Sequence, residues 1–323
     1  MNPLSQRESQ PALSVLIAAP DTFDTWRKTI DALNEQTVRD QVEIVIVAAR
    51  REGLGLDDSL LKEFHSYQVI EVGPFQSIAK PRAVGVRAAR APVVVFAEDH
   101  AYPAAGWGAA LIEAHRQSWA AVGPMIINAN PQTTISRVDI FLCYGPFVEP
   151  AQSGVVSSVP GDNSSYKRAV LLEYGKCLQA MLEDEGALHC DLRAKGYQLY
   201  LETKAQTRHL NFTRMSAWLS LRYHGGRVYG ARRMEQNHWS LLRRAIYIAA
   251  SPLFPLIQLW PLLGDIRKSG RQRELLPRAI PEIAAALLAG VIGEVVAYAF
   301  GRGDSLEKLT ALRFHRNTHA PSD

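Results

Sequence analysis

Three cysteines in 323 residues, Cys143, Cys177 and Cys190, are too few and too far apart for a disulfide framework, and no CxxC pair is present. They are expected as buried thiols in a reducing compartment. Residues 1–11 are polar, hold Arg7 and Glu8 and contain no apolar run, so no secretory signal is expected and the body is placed in the cytosol. There is no internal repeat and no low-complexity stretch, and the composition, 47% hydrophobic with 22 Gly and 18 Pro, excludes disorder and collagen. The turn after the first apolar run, Ala18-Ala19-Pro20-Asp21, lacks the glycines of a phosphate-cradling loop, which counts against a nucleotidyltransferase-type site. A strong charge of one sign is also missing, since 36 Lys+Arg face 32 Asp+Glu for a net +4.

That balance hides an asymmetry. From Arg222 onward there are 15 Lys+Arg and 8 Asp+Glu, a net +7, and before it 21 and 24, a net −3. A mildly acidic body therefore precedes a basic tail, and the tail also carries the longest apolar runs. In the body, residues 13–19 (LSVLIAA), 42–49 (VEIVIVAA), 68–72 (QVIEV) and 92–97 (PVVVFA) read as strands, and the continuous apolar runs suit parallel strands covered on both faces. Helices are predicted at 25–36, 60–65 and 77–89 between them, then at 107–119, with a strand at 121–127. Further on come a helix near Ala169, one helix over 177–195 stopped by Gly196, and a short strand at 198–202. Strand–helix alternation implies right-handed crossovers and an open α/β sheet. Sites in such sheets lie beyond the carboxyl ends of the strands, here Pro20-Asp21, residues 48–51 and Glu98-Asp99-His100.

Glu98-Asp99-His100 has two readings. Two carboxylates and an imidazole at a strand's end suit a divalent metal, Mg²⁺ or Mn²⁺, with the imidazole favouring Mn²⁺. The same residues also make a solvated turn in which the aspartate caps the next helix. Read alone, Glu183-Asp184-Glu185 is a solvated helix face.

The order of short motifs resembles the inverting glycosyltransferases of family 2, between about Leu13 and His209. The opening strand ends at Pro20, and Asp31-Ala32-Leu33-Asn34-Glu35-Gln36-Thr37 is similar to the family's "sl..Qt" helix end. Arg82-Ala83-Val84-Gly85-Val86 resembles "RNxGi", and Phe96-Ala97-Glu98-Asp99-His100 with Pro103 and Trp107 resembles "flDxD..p..w". Gly161-Asp162-Asn163-Ser164-Ser165-Tyr166 is similar to "GxNxayrr", and Asp184-Glu185 with Leu188, Arg193 and Gly196 to "ED..L..R...G".

The resemblance implies an α/β fold of GT-A type, one Rossmann-like mixed sheet flanked by helices, followed by a C-terminal apolar helical region for membrane attachment. It implies residues 11–125 as a nucleotide-sugar-binding half, 126–221 as the acceptor and catalytic-base half, and 222–323 as the membrane-associated region. Glu98 and His100 take the places of the two metal-binding acids, with Asp99 between them as a metal ligand or diphosphate contact. Glu185 takes the place of the catalytic base and Asp184 that of the preceding acid, in an order reversed from the family's. Pro20, Asp21, Lys80 and Arg82 are implied on the donor side, and Asn163 and Trp218 on the acceptor side. His209 is a further metal or phosphate candidate, with a structural histidine as the other reading. The family's nucleotide-reading Asp is replaced by Ala48-Ala49-Arg50-Arg51, and Arg214-Met215-Ser216-Ala217-Trp218 stands where the processive members have QxxRW, which implies transfer of a single sugar. The implied partners are a nucleotide-sugar donor, a divalent metal and a lipid-linked or glycan acceptor, not nucleic acid. A non-catalytic module scaffolding a membrane glycan complex is the competing reading.

The tail holds 20 uncharged residues at 245–264 and 23 residues at 279–301 interrupted by Glu282 and Glu294. Both are long enough to cross a bilayer. Prolines and carboxylates within them, and five cations in the connection (Arg267, Lys268, Arg271, Arg273, Arg278), favour an interfacial or re-entrant hairpin at the cytoplasmic face over two spans. A buried helical pair is the soluble alternative.

Overall fold

The computed structural model describes residues 9–74 and 77–314. The chain gathers into two compact units, one running to Ile127 and resuming over Glu149–His209, the other made of Asn128–Val148 and the chain from Leu210.

The first unit is built on a mixed nine-stranded sheet. Its strands are β1 (Leu13–Ala19), β2 (Val42–Ala48), β3 (Ser66–Glu71), β4 (Val93–Ala97), β5 (Ala101–Pro103), β6 (Ala121–Asn128), β7 (Gly154–Val156), β8 (Ser165–Lys167) and β9 (Leu199–His209), ordered β3-β2-β1-β4-β8-β6-β9-β5 with β7 also on β9. β1 pairs in parallel with β2 and β4, Val15 lying opposite both Ile44 and Val95. β8 pairs antiparallel with both β4 and β6, and β9 with both β5 and β7, Val95 lying opposite Ser165. The chain order reverses about β1, between β2 and β4, and opens a crevice at the strands' carboxyl ends.

Alternation along β1 supplies both cores. Val15 and Ile17 pack with Trp26, Ile30 and Leu33 of and beside α1 (Arg27–Asn34), while Leu16 faces Ala79, Ala83 and Val86 of α2 (Ala79–Ala88). A Cβ on Gly85 of α2 would lie 2.7 Å from Leu16 Cδ2, so this helix sits on the sheet only because position 85 is bare. The one carboxylate inside β2, Glu43, is buried yet satisfied by Ser14 Oγ at 2.5 Å, the Arg90 backbone N–H and Nε at 2.8 Å each, and Gln68 Nε2 at 3.1 Å. Paired in this way, a buried charge is tolerated.

Some expectations change in detail. The helix predicted over 107–119 ends early as α3 (Trp107–Ala114), and β5, β7 and β8, three residues each, carry too little pattern to be read beforehand. The chain then adds α4 (Thr134–Tyr144) in the second unit and α5 (Arg168–Leu172) in the first. The single helix expected over 177–195 is two, α6 (Leu178–Leu182) and α7 (Glu185–Ala194). Asp184 leaves the helical region at φ −135° and caps α7 by accepting the Ala187 N–H at 3.0 Å. The cysteines correct another expectation: Cys143, Cys177 and Cys190 are exposed thiols on helices or short turns, where local helical position rather than packing sets their exposure.

In the second unit α4 is joined by α8 (Met215–Gln236), α9 (Leu241–Ala250), α10 (Phe254–Lys268), α11 (Gln272–Phe300) and α12 (Ser305–Phe314). α8 and α11 touch backbone to backbone. A Cβ on Gly226 would overlap the Gly290 carbonyl, one on Gly293 the Tyr223 carbonyl, and one on Gly230 would lie 3.0 Å from Glu294 Cα. Small residues four apart on one helix and three apart on the other form this seam. Glu294, a carboxylate within an apolar run, accepts from Gln258 Nε2 at 3.1 Å and Tyr298 OH at 3.0 Å.

Burial pushes the imidazole of His115, at the end of α3, down to about 3, and its Nε2 meets Ser165 Oγ at 2.8 Å. The unfolded chain takes up this proton near pH 6.5, whereas the folded one does so only near pH 3. The stability tied to neutral His115 is therefore present above about pH 6.5 and is lost as pH falls from there toward 3. A series of thermal melts is expected to show Tm falling across that window, and His115→Gln is expected to flatten the fall.

Candidate functional site

The site lies where β4 ends, β5 begins and β9 ends. Pairing of β5 with β9 sets Ala101 opposite His209, which brings His100, one residue earlier, beside that histidine. The two rings meet edge to face with centroids 5.0 Å apart, both buried. Glu98 completes the group: its Oε1 is 3.3 Å from His100 Nε2 and its Oε2 is 3.7 Å from His209 Nε2. One ligand atom from each of the three lies within 4.8 Å of the others, a spacing that fits one metal ion.

A further set of contacts fixes these side chains. Asp99 Oδ1 accepts from His100 Nδ1 at 2.5 Å, so Nε2 is the ring nitrogen turned toward Glu98. Asn163 Nδ2 donates to Glu98 Oε2 at 2.7 Å, and Thr29 Oγ1 of α1 to the Glu98 carbonyl at 3.1 Å. Asn163 itself adopts φ 64°, a left-handed conformation that asparagine tolerates, and its N–H bonds the Phe96 carbonyl at 2.7 Å. The donor set, one carboxylate and two imidazoles, suits Mn²⁺ or a borderline divalent ion better than Mg²⁺, which prefers oxygen.

Glu185 stands at the first position of α7. Arg82 Nη1 donates to its Oε1 at 2.8 Å, and the same guanidinium pairs with Asp162. Arg82 is 4% exposed and stacks on Phe96 at 4.9 Å. A Cβ on Gly161 would overlap the Glu185 carboxylate, so glycine there makes the room Glu185 occupies. Asp162 and Gly161 were not singled out from the sequence, although they belong to the turn that marks Asn163.

Asp184 is the α7 cap, Lys80 Nζ donates to the Val72 carbonyl at 2.9 Å, and Pro20 and Asp21 follow β1 at half-buried positions. Trp218 belongs to the second unit, wholly buried, its Nε1 bonded to Asp139 at 2.7 Å. It presents no face to an acceptor in this structure. Beyond β2, Arg51 N–H bonds Glu71 Oε2 at 3.1 Å.

No family model and no curated protein matches the sequence. Solved structures do. A mannosyltransferase from Pyrobaculum calidifontis, in complex with GDP-mannose and Mn²⁺, aligns over 96% of this chain and 89% of its own at 15% identity and a TM-score of 0.51. GalNAc-T7 with UDP, GalNAc and Mn²⁺ aligns over 63% of this chain at 14% identity and 0.48, and S. aureus TarS 1-349 over 95% of this chain and 91% of its own at 12% and 0.44. The alignment spans 44% of the length of GalNAc-T7. The fold is α/β of GT-A type, a mixed sheet flanked by helices, with two apolar helices toward the C-terminus.

Mn²⁺ is expected to raise Tm. At a hundredfold excess over its dissociation constant a bound ion contributes about 2.7 kcal/mol, or roughly 5–10 °C for a unit of this size. Thermal shift with Glu98→Gln or His209→Ala is expected to abolish that rise.

Proposed function

We propose that this protein is a glycosyltransferase that moves one sugar from a nucleotide-sugar donor to an acceptor hydroxyl, with inversion and with metal assistance. The observation that carries the reading is the Glu98, His100 and His209 group at the carboxyl ends of the strands of a GT-A sheet. When bound there, a divalent ion supplies Lewis-acid stabilisation of the charge that develops on the leaving diphosphate. Glu98, His100 and His209 would hold that ion, Asp99 and Asn163 would orient its ligands, and Pro20 and Asp21 would border the donor's end of the crevice. Glu185 takes the proton of the acceptor hydroxyl. The acceptor oxygen bonds to the anomeric carbon from the face opposite the diphosphate, the carbon–oxygen bond to phosphate breaks, and the electron pair departs with the nucleoside diphosphate.

A lipid-linked or membrane-proximal acceptor and attachment at the cytoplasmic face of a membrane belong to the same proposal. Two helical stretches, Leu241–Lys268 and Gln272–Phe300, are long and apolar enough to cross a membrane. The first exposes Leu241, Leu242, Leu253, Leu256, Ile257 and Trp260, with Arg243 and Arg244 near its start and Arg267 and Lys268 at its end. An apolar surface flanked by cations complements an anionic lipid surface. The second is pressed backbone to backbone on α8, which carries Arg222, Arg227, Arg232 and Arg233. Burying α11 in hydrocarbon would bring these guanidinium groups toward it, and this supports an interfacial hairpin over a pair of spans.

A panel of nucleotide sugars assayed for nucleoside diphosphate release with Mn²⁺ tests the chemistry. Glu185→Gln is expected to lower kcat by about 10²–10⁴ while donor-induced thermal stabilisation persists. Absence of both release and stabilisation with every donor would favour a scaffold. For attachment, full-length protein is expected to float with vesicles containing anionic lipid and to stay behind with purely zwitterionic ones. In a cysteine-free background, Ser269→Cys is expected to react with an impermeant maleimide only from the side that carries the sheet.

A further inference from the structure

Arg82 is the one buried cation among the described groups around Glu185, and it meets two carboxylates. Its guanidinium is 4% exposed, whereas Asp162 and Glu185 are 22% and 35% exposed. The guanidinium lies over the Phe96 ring, with one Nη on Glu185 of α7 and the other on Asp162 of the 161–163 turn. Two carboxylates against one buried guanidinium leave an excess negative charge, a combination that a purely structural ion pair does not need. One residue further along the same turn, Asn163 grips Glu98 of the metal group.

We propose that Arg82 and Asp162 are positioning residues for Glu185, and this rests on Glu185 being the base. Arg82 pins the carboxylate over the bare Gly161, aimed at the crevice. Alone, a guanidinium would hold Glu185 ionised and make it a reluctant proton acceptor. Asp162, on the other arm of the fork, offsets that charge and leaves Glu185 able to take the acceptor's proton. The Gly161-Asp162-Asn163 turn thus sets the base through residue 162 and a metal ligand through residue 163. The remaining groups facing Glu185 do not do this. Tyr166 is kept a neutral phenol by burial, and His189, one turn along α7, is biased toward neutrality by its own burial. Asp184 is committed to the α7 cap, and Glu183 accepts from Ser77.

The test is a pH profile of kcat/KM with an active donor and Mn²⁺, paired with NMR of the Arg82 guanidinium in full-length protein. Asp162→Asn removes the offset, so the acid limb is expected to move to lower pH, with kcat falling by about tenfold. Arg82→Gln removes the pin, so the limb is expected to move to higher pH. Arg82→Lys, the variant that guards against misfolding, is expected to leave the limb in place and to lower kcat with donor KM unchanged, since charge is kept and the fork is lost. Limbs that move in the same direction, or do not move, would overturn the proposal. So would an Arg82→Lys enzyme whose donor KM rises tenfold at constant kcat, because Arg82 would then be a diphosphate contact. If no donor is turned over, the transferase reading fails separately. Distinct Nη resonances for Arg82 that merge in Glu185→Gln and in Asp162→Asn would still establish the shared fork, and a single averaged resonance in the parent protein would refute it.

Discussion

The geometry of the site depends on one residue held in an unusual backbone conformation. Asn163 turns through the left-handed region directly after the Gly161-Asp162 pair, bonds the Phe96 carbonyl through its N–H and bonds Glu98 through its side chain. The first contact extends the β4 and β8 pairing past its regular end, since Phe96 N–H also bonds the Ser164 carbonyl. The second orients a carboxylate that would otherwise rotate freely at a strand terminus. The sheet's change from parallel to antiparallel pairing at β4 and β8 therefore coincides with the position of the Glu98, His100 and His209 group, and any change that relaxed this turn would disturb both.

The parallel half of the fold was legible from the sequence because it has a physical signature. β1 and β2 are buried on both faces, so every position is apolar apart from Ser14 and Glu43, which bond each other. The three-residue strands were not legible, since β5, β7 and β8 are defined by their partners on β4, β6 and β9 and not by a pattern of their own. The split between α6 and α7 follows the same logic. Glu183-Asp184-Glu185 reads as continuous helix until Asp184 turns its carboxylate onto the Ala187 N–H.

Motif order pointed to Glu98, His100 and His209, which the structure brings together, but the contacts that gather them depend on tertiary structure. His209 joins the group only because β9 runs eleven residues, well past the five expected, and ends opposite Ala101. Asp99, read as a ligand or diphosphate contact, points to His100 Nδ1. Arg82 and Asp162 are 80 residues apart in sequence, and neither residue type announces the other. Trp218, placed by sequence order beside the acceptor, packs in the core of the other unit because Asp139 of α4 offers its indole a hydrogen bond.

The glycine seam between α8 and α11 has a consequence for the medium in which the second unit works. Most helix contacts in water draw their strength from releasing water around apolar side chains, and they weaken where hydrocarbon surrounds them. Here Gly226, Gly230, Gly290 and Gly293 have no rotamers to freeze, and they bring peptide groups into direct dispersion contact. Neither effect depends on what surrounds the pair. The central joint of this unit is therefore solvent-neutral, able to keep one arrangement with water or acyl chains along its outer face.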